Sequence, residues 1–306
     1  MALINEVQQA TRDRPSPGRR SRIAYLFLLP WMAGVLLITL VPMVTSLYLS
    51  FTDYRLGDSP RFTGLENYRR MFGDPDFLAA AGVTAKYVFI SVPLQLAFAL
   101  AIAVLLNQGV RGLALYRSVY YLPSLLGGSV AVAVLWRQLF SSTGLVPELA
   151  GKLGIQMGSW ISEPAHALDT LIILHVWTFG SPMIIFLAGL RQIPEELVEA
   201  AKVDGAGAWR RFTSVILPLL SPVVFFNLIL QLIGSFQAFT QAYIISAGTG
   251  GPSNSTLFYT LYLFVTGFKN FEMGYASALA WILFVVIGML TAINFVAARY
   301  WVHYED

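Results

Sequence analysis

The chain has 306 residues, of which 56% are hydrophobic and only 12% are charged, and its formal net charge is +3. Soluble domains carry about twice that charged fraction, so the composition excludes both a water-soluble globule and a disordered chain. The absence of cysteine excludes disulfides and cysteine-ligated metal sites. Because the basic residues lie beside apolar stretches and not in one patch, their excess indicates a membrane protein and argues against a nucleic-acid partner.

Six apolar stretches are long enough to cross a bilayer, whose hydrocarbon core requires roughly 20 apolar helical residues. The sequence therefore predicts an all-α, polytopic membrane protein with six transmembrane helices in one membrane domain, residues 24–302. Residues 1–23, which contain two prolines and five arginines, are predicted to be a disordered anchor and not a cleaved signal peptide. The predicted spans cover approximately residues 24–52, 87–110, 118–137, 169–190, 217–246 and 273–299.

One uncharged run, residues 212–268, is too long for a single helix. Residues 248–255 are rich in glycine, proline, serine and asparagine, which predicts a turn and a helix ending near Ser246. The next segment, residues 256–268, is too short to span a bilayer. We therefore expect it to lie at the membrane surface.

The distribution of arginine and lysine sets the predicted orientation. One set of connecting segments is richer in these residues and shorter, namely residues 1–23, 111–117, 191–211 and 299. By the positive-inside rule these segments face the cytoplasm, so both termini are predicted to be cytoplasmic.

The predicted spans lack the groups that several transport mechanisms need. Ion-coupled transporters usually place carboxylates within the bilayer, and no mid-membrane carboxylate is present here. His175 stands alone, which favours hydrogen-bonded packing over a proton relay. The chain also lacks the G-x-x-x-x-G-K-[ST] phosphate-binding loop, so any energy from ATP must come from another chain.

Residues 193–218 form the most informative segment, between the fourth and fifth spans. Pro194 suits the first turn of a helix, and the two glutamates after it complement the positive end of the helix dipole. Apolar residues recur at helical spacing up to Val203. Asp204 and Gly205 are then predicted to stop the helix, because glycine readily adopts a positive φ. A second short helix from about Ala206 leads into the fifth span.

This segment resembles the EAA loop of ABC importer permeases. The matching residues are Glu199, Ala200, Ala201, Gly205, Leu217 and Pro218, whereas Val215 replaces an isoleucine that is frequent in the family. Segments on the opposite side resemble the carbohydrate-uptake branch of the family, the maltose and glycerol-phosphate type. The matching positions there are Leu29, Pro30, Pro42 and residues 62–68, 250–252, 254, 256 and 274–280. The resemblance spans nearly the whole chain.

The resemblance implies a MetI-like permease fold in a bacterial or archaeal plasma membrane. It also implies a second permease subunit, two ATPase subunits that bind ATP and Mg²⁺, and an extracytoplasmic solute-binding protein. The chain itself is then neither an enzyme nor a cofactor-binding protein. Loop 192–217 is implied to dock on an ATPase subunit, and Arg210 and Arg211 could pair either with its acids or with lipid phosphates. The implied coupling residues are Glu199, Ala200, Ala201, Asp204, Gly205, Arg210 and Arg211.

Polar residues in the fifth predicted span mark a candidate solute path. The candidates are Asn227, Gln231, Ser235, Gln237 and Gln241. Uncharged amides and hydroxyls suit sugar hydroxyls, which both donate and accept hydrogen bonds, but such residues also join helices to one another in lipid. The resemblance favours a pocket, because Gln237 matches a sugar-contacting position.

The solute itself stays open among a neutral oligosaccharide, a polyol and glycerol phosphate. The alternative function is a stand-alone channel or facilitator for a polar solute, which the EAA-type loop does not fit.

Overall fold

The computed structural model describes residues 27–109, 111–154 and 158–303, and this part of the chain is overwhelmingly helical. The predicted tail, residues 1–23, and the extreme C-terminus lie outside the described residues. In chain order the helices are α1 (Phe27–Leu49), α2 (Glu66–Gly73), α3 (Pro75–Asn107), α4 (Leu113–Leu126), α5 (Val130–Leu139), α6 (Leu145–Lys152), α7 (Ala167–Trp177), α8 (Gly180–Leu190), α9 (Glu195–Val203), α10 (Ala208–Arg211), α11 (Leu217–Phe236), α12 (Thr240–Ile245), α13 (Tyr259–Phe264) and α14 (Met273–Trp301).

Five helical segments are long and apolar enough to cross a membrane, and the bent pair α4–α5 makes a sixth if it counts as one span. The predicted all-α membrane fold is therefore confirmed. The five segments are Phe27–Leu49, Pro75–Asn107, Ala167–Leu190, Ala208–Ile245 and Met273–Trp301.

The second span begins earlier than the predicted residues 87–110. α3 starts at Pro75, where the Asp74 carboxylate accepts hydrogen bonds from the N–H groups of Asp76 and Phe77. Its 33 residues correspond to about 50 Å, which exceeds the roughly 30 Å of hydrocarbon core. α3 thus connects two opposite ends of the molecule, which we call the Asp74 end and the Gly205 end.

The predicted span 118–137 is not one straight helix. α4 and α5 are bent by 94° relative to each other. The Ser129 hydroxyl accepts a hydrogen bond from the N–H of Val132 and so caps α5. At the bend, a Cβ on Gly127 would lie 2.2 Å from the side chain of Thr178, so only glycine permits this close approach to the α7–α8 junction.

The segment 256–268 is a core element, so the expectation that it lies at the membrane surface is wrong. α13 packs against α3 and α14, and Leu261 and Thr266 are buried. Tyr259 joins its neighbours through hydrogen bonds from its N–H to the Thr84 hydroxyl and from its hydroxyl to the Leu279 carbonyl, each 2.8 Å. Buried partners stabilise a helix too short to span the bilayer by itself.

The core lies among α3, α7, α8 and α11, and the outermost helices contribute little to it. The most apolar stretch of α1 is 0% buried and that of α14 is 6% buried, although both are strongly hydrophobic. In a membrane, lipid chains and neighbouring helices cover exposed apolar faces of this kind.

Candidate functional site

The predicted helix–turn–helix of the EAA-type loop is present at the Gly205 end. α9 follows Pro194 directly, has two glutamates in its first turn, and has Lys202 in its last turn. These charges complement the helix dipole at both ends. α10 begins at Ala208 and passes through a π-helical turn, Phe212–Ile216, directly into α11. The loop is therefore continuous with a membrane-spanning helix.

A Schellman turn joins the two short helices. Gly205 has φ +77°, its N–H donates to the carbonyl of Lys202 (3.1 Å), and the N–H of Ala206 donates to the carbonyl of Ala201 (3.0 Å). This bonding pattern requires a left-handed residue, which glycine adopts without a Cβ penalty. Asp204 ends α9, and no atom would lie within 4 Å of a Cβ added to Gly205. The turn is thus fixed by backbone geometry and not by packing.

The two arginines of the loop differ in their surroundings. One guanidinium nitrogen of Arg211, Nη1, donates a 2.7 Å hydrogen bond to the carbonyl of Ala206, and this side chain is half-buried. Arg211 therefore braces the Schellman turn from the second helix. Arg210 is exposed, so it presents its charge outward.

α9 has two distinct faces. Glu195, Val198, Glu199 and Lys202 follow the i, i+3, i+4, i+7 spacing and share one face. Ala200 lies on the opposite face. The structure therefore separates Glu199 from Ala200, although the sequence motif places them side by side.

Exposed apolar side chains mark the outward side of the loop. Val203 is 87% exposed, Trp209 76% and Leu197 44%. Ala200 is also exposed, whereas Ala201 is half-buried. Large apolar groups left in water within so short a segment are typical of a protein-binding surface.

The inward face of α9 borders an open cavity of about 550 Å³, which we call the helix-end cavity. It lies between α9, the C-terminal ends of α3 and α8, and the segment that leads into α11. Its lining residues are Asn107, Leu190, Arg191, Ile193, Glu195, Val198, Glu199, Lys202, Arg211 and Ile216.

The five predicted solute-path residues do not share one face. α11 ends at Phe236, and residues 237–239 interrupt the helix before α12, which ends at Ile245, next to the predicted end near Ser246. Gln241 therefore lies beyond the interruption, and its Nε2 donates to the carbonyl of Gly127 (3.0 Å). Gln237 is exposed at the interruption.

The other three candidates lie within α11 in different settings. Ser235 is buried, and its hydroxyl lies 3.3 Å from Nε2 of His175. Asn227 is 0% exposed, and neither atom of its amide has a hydrogen-bond partner among the described residues. Gln231 is half-buried. Of the five candidates, Gln237 is thus exposed, Gln231 and Gln241 are half-buried, and Asn227 and Ser235 are buried.

His175 belongs to a buried hydrogen-bond network, as the packing interpretation predicts. The hydroxyl of Tyr87 lies 3.1 Å from Nδ1 of His175, which fixes the ring from the side of α3. Nε2 of Gln95 donates to the carbonyls of His175 and Thr178, where α7 gives way to α8. Gln95 was not among the predicted site residues, although it is also an amide within an apolar run, like Gln231.

The Asp74 end is held by side chains. The Asp74 carboxylate accepts hydrogen bonds from the hydroxyls of Tyr262 and Tyr275, the latter at 2.7 Å. Burial alone raises the pKa of Asp74, but these two bonds and two backbone N–H groups outweigh it, so the pKa falls below the usual 3.8. Glu272 pairs with Arg70 at 2.7 Å and with Arg55 at 3.1 Å. These contacts tie the α1–α3 connection to the residues that precede α14.

Comparisons with known proteins identify the family of the chain. Residues 27–300 match the family described as binding-protein-dependent transport system inner membrane component. The chain is 50% identical over 291 residues to the probable ABC transporter permease protein YesP of Bacillus subtilis (strain 168), with 94% of each chain covered. It is 33% identical to the lactose transport system permease protein LacF of Rhizobium radiobacter, with 95% of this chain and 99% of the relative covered.

Among solved structures, a similar fold occurs in the crystal structure of a bacterial alginate ABC transporter in complex with an alginate pentasaccharide-bound periplasmic protein. The TM-score is 0.79 at 20% sequence identity, and the match covers 92% of this chain and 96% of that chain. The elements that surround the helix-end cavity and the polar path therefore sit in an importer permease fold.

Proposed function

Since the chain belongs to the family of binding-protein-dependent transport system inner membrane components, and is thus the translocation subunit of such an importer, we propose that it carries a sugar or related polar solute across a bacterial or archaeal plasma membrane. An extracytoplasmic binding protein delivers the solute. A second permease subunit forms the other half of the path. Two ATPase subunits bind ATP and Mg²⁺ and supply the energy.

Two observations support a neutral, hydroxyl-bearing solute. The relative LacF is a lactose transport permease at 33% identity over nearly the full length of both chains. The accessible polar side chains along the fifth span include the amides of Gln231 and Gln237, which both donate and accept hydrogen bonds as sugar hydroxyls require. We therefore propose Gln237, at the helix interruption, as the principal solute contact.

The α9–α10 pair is proposed to couple ATP hydrolysis to transport, and one observation carries this proposal. The outward face exposes Val203 and Trp209 to a partner, while α10 continues without a break into α11. Movement of the docked pair is therefore transmitted to the helix whose far end carries Gln237. A rigid element that shifts as a body is a common way to convey such a change.

The proposed orientation places the Gly205 end and both termini in the cytoplasm, because the basic residues concentrate there. Reporter fusions test it directly. Fusions at Gly205 and at Asp306 are expected to report a cytoplasmic position, and a fusion at Ser253 an extracytoplasmic one. A fusion at Gly205 that reports the outside would overturn the coupling role.

Transport by the purified complex tests the function. The chain, its co-purifying partners and the binding protein are reconstituted into vesicles, and uptake and ATP hydrolysis are measured with a panel of sugars, polyols and glycerol phosphate. We expect one neutral sugar to stimulate both activities together. Uptake that proceeds down a gradient with no ATP and no ATPase subunit would favour the stand-alone facilitator instead.

A further inference from the structure

The interruption between α11 and α12 runs against the local sequence. Residues 237–239 are glutamine, alanine and phenylalanine, and the first two are among the better helix formers. Neither a proline nor a glycine lies among the three, so no residue of the segment excludes a helix by itself. Contacts with other parts of the molecule therefore hold this segment out of the helix.

α13 makes one such contact. The hydroxyl of Thr260 donates a hydrogen bond to the carbonyl of Ala238, the middle residue of the interruption. In an uninterrupted helix this carbonyl would accept the N–H of Ala242. Within the described residues no backbone N–H donates to it, and the N–H of Ala238 itself donates to the carbonyl of Ser235 (3.2 Å) in a tightened last turn of α11. The Thr260 hydroxyl thus takes the place of the helical donor.

The helix that carries Thr260 is anchored to two of the spanning helices. At the neighbouring residue, the N–H of Tyr259 donates to the hydroxyl of Thr84 in α3, and the hydroxyl of Tyr259 donates to the carbonyl of Leu279 in α14. Tyr259 is buried in the core. Thr260 therefore donates from a fixed position, and the interrupted segment is held to it.

The interruption determines how the proposed solute contact is presented. Side chains on a helix lean toward its N-terminus, so in an uninterrupted helix the side chains of Thr240 and Gln241 would lie over residue 237. In the structure the helix ends before this turn can form, and Gln237 is exposed. Closing the interruption would therefore cover the amide of Gln237.

We propose that Thr260 is a positioning residue for the solute contact, and this proposal rests on the proposed role of Gln237. The hydroxyl of Thr260 keeps the carbonyl of Ala238 out of the helical bonding pattern, and the amide of Gln237 stays uncovered as a result. Thr260 acts through the backbone and does not itself contact the solute. The role requires a hydroxyl group, because a methyl group in the same place cannot donate to a carbonyl.

Cysteine labelling tests the position of residue 237 without reference to transport, because the chain contains no cysteine. Gln237→Cys is made in the detergent-solubilised full complex, and its reaction rate with a charged maleimide is read on the intact chain by mass spectrometry. The rate is compared among Thr260, Thr260→Val and Thr260→Ser. Valine keeps the shape of threonine without the donor, and serine keeps the donor. We expect labelling to fall about threefold or more with valine and to stay near the wild-type rate with serine, because only serine can bond to the carbonyl.

Two controls accompany the labelling. Ser142→Cys, at an exposed position between α5 and α6, should be labelled equally in all three backgrounds. Thr170→Val is the matched variant at another threonine. The hydroxyl of Thr170 also donates to a backbone carbonyl, that of Ala167 (2.7 Å), but within α7. Thr170→Val should leave the labelling of the cysteine at position 237 unchanged.

Uptake by the reconstituted complex tests whether the positioning matters for the solute. We expect Thr260→Val to raise the half-saturating solute concentration about fivefold, the effect of one lost hydrogen bond, and Thr260→Ser to stay within about twofold of the wild type. The double variant Gln237→Ala/Thr260→Val should transport no worse than Gln237→Ala alone, because both changes act on one amide.

Three outcomes would overturn the proposal. The first is equal labelling at position 237 in all three backgrounds. The second is a loss with serine as large as the loss with valine, which would assign the effect to side-chain shape. The third is additive effects of Thr260→Val and Gln237→Ala on uptake, which would place the action of Thr260 elsewhere. Should Thr260→Val fold poorly, Thr260→Ala removes the same hydroxyl and decides the outcome.

The labelling also separates this proposal from the proposed role of Gln237. Reduced labelling with Thr260→Val, together with wild-type uptake by Gln237→Ala, would overturn the solute contact and support the part of Thr260 in holding the interruption open. Weakened uptake by Gln237→Ala with unchanged labelling would leave the solute contact standing and overturn the positioning role of Thr260.

Discussion

The Gly205 end and the Asp74 end are both built from short segments between helices, but they are held in opposite ways. At the Gly205 end, two backbone hydrogen bonds and one arginine fix a Schellman turn between exposed helices. At the Asp74 end, one carboxylate gathers two tyrosine hydroxyls from residues about 200 positions away in sequence. The first end keeps its side chains available to partners. The second end satisfies its polar groups internally.

This difference bears on how the protein works. A turn set by local backbone geometry keeps its shape while the rest of the molecule rearranges, which suits a part that is moved by a partner. A cluster of long-range side-chain contacts resists relative movement of the segments it joins. We therefore expect substitutions at the Gly205 end to affect coupling and substitutions at the Asp74 end to affect stability.

Gly205→Val is expected to have the largest effect. A side chain in a left-handed conformation costs about 1–2 kcal/mol, and more for a β-branched residue. Because nothing packs around Gly205, only its two backbone hydrogen bonds and the contact of Arg211 oppose a distortion of the turn. We expect solute-stimulated ATP hydrolysis and uptake to fall together by tenfold or more. Both are measured in vesicles, beside a pull-down of the ATPase subunits.

Two matched variants distinguish the effect of backbone conformation from the effect of side-chain size. Gly207 also has open space around its Cβ position, but its φ of −63° is accessible to any residue. Gly207→Val is therefore expected to retain coupling. Gly205→Asn is expected to be milder than Gly205→Val, since asparagine tolerates the left-handed region. Wild-type transport by Gly205→Val, with the ATPase firmly bound, would show that this turn is not a coupling element.

The same contrast explains what the sequence could predict. Three features depend mainly on residues close in sequence and could therefore be predicted: the glycine turn, the helix after Pro194 and the apolar spans. The hydrogen bonds from Tyr262 and Tyr275 to Asp74 could not be predicted, because no local sequence pattern indicates a contact between distant segments. Burial of α13 was missed for the same reason: its length excluded a span, but only tertiary contacts distinguish a core helix from a surface one.

The candidate site was predictable to a similar degree. The residue types in the EAA-type loop identified the segment, whereas the division of α9 into an outward face and a cavity face required the structure. In the fifth span, the sequence did not predict the interruption at residues 237–239, which changes the side of the helix on which the later residues lie. Residues 237–239 contain no proline or glycine, and the nearest glycine, Gly234, lies within the last turn of α11.

Asp74→Ala is expected to have the next largest effect, on stability and not on coupling. The change leaves the hydroxyls of Tyr262 and Tyr275 without their acceptor and removes the cap of α3. Hydrogen bonds to a charged group contribute about 1.5–3 kcal/mol, and because this carboxylate is only partly buried we expect a total loss of about 2 kcal/mol. The thermal midpoint of the detergent-solubilised complex measures it. Glu66→Ala, at an exposed acidic residue in the first turn of α2, is the control and should lower the midpoint much less, because it loses only a screened interaction with the helix dipole.

Gln237→Ala tests the proposed solute contact, which belongs to neither end. If its amide binds the solute, its loss should weaken transport affinity by about 1–2 kcal/mol, or roughly five- to thirtyfold. Gln241→Ala instead removes the hydrogen bond to the carbonyl of Gly127 at the α4–α5 bend. It should lower the thermal midpoint and leave the half-saturating concentration of solute unchanged. Identical uptake kinetics for wild type and Gln237→Ala across the sugar panel would assign Gln237 to packing.

The smallest expected effect is the pH dependence of the Asp74 end. Because the pKa of Asp74 is lower in the folded protein than the usual 3.8, the folded state favours the charged carboxylate. Its contribution to stability is therefore complete above the pKa of the unfolded chain and is lost as the pH falls through the folded pKa. Asp74→Asn keeps a hydrogen-bond acceptor but cannot titrate. We expect the thermal midpoints of wild type and Asp74→Asn to differ by a constant amount above about pH 5 and to converge below about pH 4. A difference that stays constant down to pH 3 would mean that the stability of this end does not depend on the charge of Asp74, and its tyrosine contacts would then act as neutral hydrogen bonds.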